Sequence, residues 1–349
     1  MDIRRNFRCL GIVVVIASAL LLINTSVGKC HNIIRTSKLL PKNINLEDSS
    51  KAISRFLENC KTKKFFDSLR KHTSYPNFGS TAEWKSVCKL LQGRLTQNPK
   101  EFFQFFDMQY FSGTPGKLTA YYQPNILVSY KKTKDFQYPI LKKRKGLMIE
   151  RKRISENFKE DDVLLWAKDD IELFFLHIQG SGLGVLENGQ KIEISYDGNN
   201  GFEYQSIGQL MVKRGLIDKK KANATEIKKW LRENTEKKVK ILNNNRRFIF
   251  FKTNAINNKY PVGSFGQELI PYASVAIDKK IYPFGIPILL SVEKNKNYNL
   301  LTVSADTGSA IKGANRADLF LGNGKKVGEK AGKINESLII YFLKPKRIY

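Results

Sequence analysis

Apolar residues spaced three and four apart mark the first folded part of the chain. Between Ser49 and Cys60 they are Ile53, Phe56 and Leu57. After Ser80-Thr-Ala-Glu83, which reads as a capping box, they are Trp84, Val87, Leu90 and Leu91. Both stretches predict helices with one apolar face. A third, aromatic-rich helix is predicted over Pro99–Tyr110, its Phe102, Phe103, Phe105 and Phe106 serving the core. Residues 29–47 ahead of these helices read as a polar, extended lead-in.

Beyond Gly113 the pattern shortens. Lys117–Ser129 reads as a strand interrupted by Pro124. Further strands bounded by Gly, Asn and Asp are expected at Leu173–Ile178, Lys191–Tyr196, Arg247–Lys252, Tyr272–Asp278, Ile286–Ser291 and Leu301–Ala305. Helical islands fall near Gln205–Arg214 and Ala222–Asn234. The fold class that follows is mainly β with N-terminal helices, barrel-like in architecture. Asn188-Gly189 reads as a hairpin turn. It argues against a phosphate loop at Gly180-Ser-Gly-Leu-Gly184, which also lacks a following Lys-Ser/Thr.

The N-terminus bears on compartment. Arg4, Arg5 and Arg8 precede an apolar run from Leu10 to Ile23, and Ser26-Val-Gly28 offers small residues for cleavage. This is the pattern of a secretory signal peptide over residues 1–28. An uncleaved anchor, and hence association with an envelope membrane, stays open. Cys30 is a poor lipid-attachment site because Lys29 precedes it. In an oxidising compartment Cys60 and Cys88 form either a disulfide or two buried thiols.

The 349 residues suffice for about two domains, and 42% hydrophobic residues can bury a core. A net charge of +28 admits nucleic acid, an acidic membrane surface or an anionic wall polymer as partner. Lysines scattered over a solvated surface, such as Lys219–Lys221 and Lys228-Lys229, account for it equally well. No nucleic-acid motif supports the first partner, and none is expected. His31, His72 and His177 show no metal-ligand spacing, so neither a metal nor an organic cofactor is expected.

From Gly263 onward the chain has three aspartates, Asp278, Asp306 and Asp318. Each is open to two readings, as a turn cap bonding backbone N–H groups or as a working carboxyl. Asp306-Thr-Gly308 has no second such triplet, and an aspartic protease needs two carboxylates sharing a proton.

These segments together resemble the membrane-bound lytic murein transglycosylase A family over roughly residues 110–345. The matching pieces are Leu118-Thr-Ala-Tyr-Tyr-Gln-Pro124, Ile178-Gln-Gly-Ser-Gly182, Tyr204-Gln-Ser-Ile-Gly208, Pro261-Val-Gly-Ser-Phe-Gly266, Ser274-Val-Ala-Ile-Asp278, Pro283-Phe-Gly-Ile-Pro287, Asp306-Thr-Gly-Ser-Ala-Ile-Lys-Gly313 and Asp318-Leu-Phe-Leu-Gly-Asn-Gly324, with Ala331-Gly332. The C-terminal part also resembles a wider three-aspartate domain. The resemblance implies a double-psi β-barrel built from residues 29–123 and 251–349. A second, barrel-like β-domain, 124–250, would be inserted in it, with the substrate groove between the two. It implies a monomeric, exported periplasmic or cell-envelope enzyme that acts on peptidoglycan glycan strands. Asp318 matches the catalytic acid and Asp306 its supporting aspartate. Thr119, Gln179 and Gly180 match residues that contact sugar. Tyr121, with Tyr122 and Gln123 beside it, and Asp278 join them as candidates for substrate binding.

One carboxyl can suffice for such a reaction. The family cuts the β-1,4 bond between N-acetylmuramic acid and N-acetylglucosamine with the C6 hydroxyl of the same muramic residue, giving a 1,6-anhydro end. The nucleophile is tethered, so proximity supplies what a second residue would otherwise provide. The acid must be protonated when substrate arrives, so Asp318 should titrate above the usual carboxylate range. Ala317, Leu319, Phe320 and Asp306 would push it up; Arg316 or Lys312 would oppose this if they face it. The alternative is an envelope module that binds the glycan without cutting it, which would not need Asp306 and Asp318 together.

Overall fold

The computed structural model describes residues 33–347 except 38–39, 42, 73–74, 95–98, 114–115, 145 and 147. Residues 1–28, read as a signal peptide or an uncleaved anchor, and Cys30 lie outside the described residues.

After strand β1 (Ile33–Ser37) come three helices, α1 (Leu46–Cys60), α2 (Lys63–Lys71) and α3 (Thr81–Arg94). Asn45 caps α1 by accepting from Asp48 N at 3.2 Å. The predicted capping box of α3 forms in full: Glu83 N donates to Ser80 Oγ at 3.1 Å and Ser80 N to Glu83 Oε2 at 2.6 Å. The Ser80 N–H bond holds the Glu83 carboxyl below its ordinary range. Ser80→Ala should cost about 1 kcal/mol, read as a drop of roughly 2–4 °C in thermal melting. An unchanged melt would show that Glu83 holds the helix start alone.

Apolar faces of these helices meet at Phe56, whose ring stands edge-on to Phe65, Trp84 and Phe102 at 5.7–5.8 Å. A disulfide joins Cys60 of α1 to Cys88 of α3. Helix α1 lies on the sheet below it: Leu301 N donates to Ser49 Oγ, and Asn59 Nδ2 to the carbonyl of Gly285.

The third predicted helix is only partly one. Helix α4 (Pro99–Phe103) stops after one turn, and β2 (Phe106–Ser112) takes over, followed by β3 (Lys117–Gln123). Phe102, Phe103 and Phe106 are buried as expected. An unbroken aromatic run suits a strand paired on both sides as well as a helix, and β2 is paired by β1 and by the last strand of the chain.

Residues 125–254 form a separate six-stranded sheet. Its strands are β4 (Asn125–Ser129), β5 (Tyr138–Leu141), β6 (Val163–Ala167), β7 (Gly182–Val185), β8 (Lys191–Asn199) and β9 (Ile249–Asn254), in spatial order β5-β6-β4-β7-β8-β9. Helix α5 (Arg151–Glu156) lies between β5 and β6, and α6 (Asp170–Gln179) between β6 and β7. Helices α7 (Ile207–Lys213), α8 (Ala224–Glu233) and α9 (Thr235–Leu242) lie between β8 and β9. Leu173–Ile178, expected as a strand, is thus helical. Asp169 accepts from Ile171 N and Glu172 N to start α6, and Gly180 ends it in the left-handed conformation at φ 80°. The segment is also less purely β than expected, since α6–α9 build a core of their own around Phe174, Ile207, Met211 and Leu231. Arg232 and Lys238 pair with Glu172 and Asp170 of α6 at 2.7 and 2.8 Å, and Lys228 also pairs with Glu172. Lys228, read from sequence as solvated surface, therefore pins α8 in place, while Lys229 remains exposed.

The chain then returns to the first sheet with β10 (Ser274–Ile277), β11 (Pro287–Val292), β12 (Leu301–Asp306), β13 (Arg316–Asn323), helix α10 (Lys325–Ala331) and β14 (Leu338–Pro345). The spatial order is β1-β2-β14-β11-β12-β10-β13-β3. At the β3 edge, Leu118 and Glu336 exchange backbone hydrogen bonds at 2.9 and 3.0 Å just ahead of β14. Along β13 alternation is plain. Ala317, Leu319 and Leu321 enter the main core, whereas Phe320 joins Leu269, Ala305, Tyr121 and Tyr260 in a small cluster of its own.

Candidate active site

Strand register assembles the site. Ala276 of β10 pairs with Asp306 of β12 on one side and with Asp318 of β13 on the other. Asp318 in turn pairs with Thr119 of β3. Residues opposite one another on neighbouring strands share a face, so Asp306, Ala276, Asp318 and Thr119 form a row across four strands. The row depends on a register shift in which Val275 pairs with Ser304 but Ala276 with Asp306, skipping Ala305. Such a bulge re-aims the side chains after it.

Thr119 Oγ1 donates to Asp318 Oδ1 at 2.5 Å, and Arg316 Nη2 donates to Thr119 Oγ1 at 2.8 Å. Burial pushes the Asp318 carboxyl above its ordinary value. The Arg316 charge, the Thr119 hydrogen bond and Lys117 oppose the rise, and the Asp306 charge adds to it. Desolvation wins, and Asp318 is a carboxyl that holds its proton to higher pH than a free aspartate.

Asp306 is held differently. Its Oδ1 accepts from Ser264 N (2.9 Å), Ser264 Oγ (2.6 Å) and Thr307 N (2.8 Å), and its Oδ2 from Tyr121 Oη at 3.0 Å. Burial, then the Asp306 charge, raises the Tyr121 hydroxyl well above its usual range, so it stays a donor. The Ser264 loop must come close. A Cβ on Gly263 would stand 2.7 Å from the Ala305 carbonyl oxygen, so only glycine fits.

The other expected site residues are distributed around this row. Gln179 Oε1, at the end of α6, accepts from Tyr122 N at 3.1 Å and so ties residues 125–254 to β3. Gly180 follows as the helix cap. Of the two tyrosines, Tyr121 faces Asp306 while Tyr122 packs over Gly328 of α10. Gln123 is buried, and no donor among the described residues reaches its Oε1. Asp278 does not join the row. Its Oδ1 accepts from Lys280 N at 3.0 Å and its Oδ2 from Gly313 N at 2.9 Å, so it anchors the loop leading into β13. That geometry is the turn-capping alternative, not an open binding face. Lys312 is not among the charges Asp318 feels; Arg316 and Lys117 are. Sequence reading missed Ser264, although the Pro261–Gly266 segment containing it stood out, and Ala276, whose place depends on register alone.

Residues 117–252 match the MltA specific insert domain and residues 273–344 the 3D domain. The membrane-bound lytic murein transglycosylase A homolog of Buchnera aphidicola is 32% identical over 244 residues, 65% of this chain and 66% of that protein. Membrane-bound lytic murein transglycosylase A of Escherichia coli K12 is 32% identical over 242 residues, 65% of each chain. The matched stretch thus spans just under two thirds of these curated relatives. The crystal structure of a membrane-bound lytic murein transglycosylase from Agrobacterium tumefaciens superposes with a TM-score of 0.73 at 25% identity, over 85% of this chain and 93% of that one. With the insert domain and the 3D domain matched in this order on one chain, the protein is similar to the membrane-bound lytic murein transglycosylase A family in both of its matched regions.

Proposed function

We propose that this protein is a lytic transglycosylase of peptidoglycan. The observation that carries the reading is Asp318, a desolvated carboxyl raised above its ordinary value, beside Asp306, whose oxygens already accept four hydrogen bonds. One carboxyl is thus presented for proton transfer, as a reaction with a tethered nucleophile needs. Asp318 donates its proton to the leaving glucosamine oxygen as the C1–O4 bond breaks. The C6 hydroxyl of the muramic residue bonds to C1, and its proton passes to the Asp318 carboxylate, restoring the acid. Asp306 adds negative charge that helps raise the Asp318 carboxyl. Thr119, Tyr121, Gln179 and Gly180 border the face on which the glycan lies, between the sheet bearing Asp318 and residues 125–254.

The Leu118–Glu336 bridge, which brings the β3 edge back to the lead-in of β14, supports reading β14-β11-β12-β10-β13-β3 as a six-stranded double-psi barrel. The signal-peptide pattern of residues 1–28 supports action in the cell envelope. No helix among the described residues is long and apolar enough to cross a membrane.

The test is a digest of purified sacculi with products read by mass spectrometry. Anhydro-muropeptides are expected. Reducing ends would mean water is the nucleophile, and binding without release would turn the reading toward a glycan-binding module.

A further inference from the structure

Arg316 stands two residues before Asp318 on β13 and reaches the same row. Besides its bond to Thr119, its Nη1 donates to the carbonyl of Ala317. A guanidinium has five N–H donors and no acceptor, so the Thr119 oxygen must accept from it. A hydroxyl owns one proton. The partner in place for that proton is Asp318 Oδ1.

We infer that Arg316 is a positioning residue which, through Thr119, reserves Asp318 Oδ1 as an acceptor and leaves Oδ2 to give and take the proton. The inference deepens the function proposed above and rests on it. Among the described residues no donor reaches Oδ2. Were Thr119 free to turn, its proton could point elsewhere and the acidic proton could settle on Oδ1, facing Thr119 instead of the substrate.

The charged and titratable groups around Asp318 come from three strands: Arg316 from β13, Lys117 and Tyr121 from β3, and Asp306 from β12. Strand β10 contributes only Ala276. Of the influences that lower Asp318, the Arg316 charge is the largest. Removing it should therefore change both which oxygen carries the proton and where the carboxyl titrates.

The experiment compares the wild-type chain with Arg316→Met, Arg316→Lys, Thr119→Val and Thr119→Ser. It measures kcat and KM against pH on soluble glycan strands, and the Asp318 carboxyl titration by carbon NMR with labelled aspartate, the resonance being assigned with Asp318→Asn. Arg316→Met should move the titration up by about one pH unit, carry the basic limb of the rate profile with it, and lower kcat about tenfold while KM stays within about twofold. Thr119→Val should lower kcat similarly, and Arg316→Lys and Thr119→Ser should return both readouts toward wild type. An Arg316→Met titration at the wild-type midpoint, or a loss confined to KM, would overturn the inference. If wild type cleaves nothing, the function fails on its own, and the NMR titration still decides whether Arg316 acts on Asp318.

Discussion

Asp318→Asn is expected to slow muropeptide release from sacculi by about a thousandfold and, at neutral pH, to raise the melting temperature. The two effects share one cause. Asparagine cannot carry the proton across, so the rate falls, but it also has no charge to desolvate. Asp318 titrates above its unfolded value of about 3.9. A carboxyl raised in this way adds stability in full below pH 3.9 and loses it as pH rises through the folded pKa. Above that point wild type bears an ionised, desolvated carboxylate that the variant lacks. The gain should be on the order of 1 kcal/mol, or about 2–4 °C, because removing the charge also gives up the attraction to Arg316. The difference should vanish in melts near pH 3. An Asp318→Asn protein that melts below wild type at pH 7 would show that the carboxylate is stabilised in place and is no poised acid. One that retains its rate would remove Asp318 from the chemistry.

The same carboxyl shows how far sequence alone reaches. Asp318 could be singled out from the motifs around it, and the apolar alternation of Ala317, Leu319 and Leu321 already places it on the opposite face of its strand. What sequence could not supply was its company. Asp306 and Asp318 are twelve residues apart and meet only because β10 runs between their strands and Ala305 is skipped in the pairing. Thr119 comes from 199 residues away. Register is a property of paired strands, and a slip of one residue would turn every one of these side chains to the other face.

The errors have equally local causes. Leu173–Ile178 is a short, nearly continuous apolar run with no period of its own, so its type rests on its ends. Asp169 and Gly180 supply both helix signals, cap and stop, and their weight exceeds that of the apolar run between them. Over Pro99–Tyr110 the opposite happened. Local preference suggested a helix, but β14 claims the backbone from Phe106 onward and β1 from Met108 onward. Elements with their own caps, such as α3 with its Ser80 box, and strands bounded by Gly, Asn and Asp, such as β11 and β12, were legible; which strands pair, and in what register, was not.

Replacing both Cys60 and Cys88 by alanine should destabilise the protein by about 3–4 kcal/mol, the chain-entropy estimate for a loop closed over this sequence separation of 28 residues. That corresponds to a loss of roughly 10 °C in melting temperature. The bond ties α1 to α3, and α1 lies on β12, whose last residue is Asp306. Loosening the helical cover should therefore also expose the strand of Asp306 to earlier local unfolding. Melting with and without reductant is the check. Reductant should lower wild type to the level of the double variant and leave the variant unchanged. Two free thiols in protein recovered from an oxidising compartment, or a melt indifferent to reductant, would refute the stabilising bond. The outcome also bears on export. A chain that depends on this bond should reach full stability when made in an oxidising compartment and fall short when made in a reducing cytosol, where the disulfide does not persist.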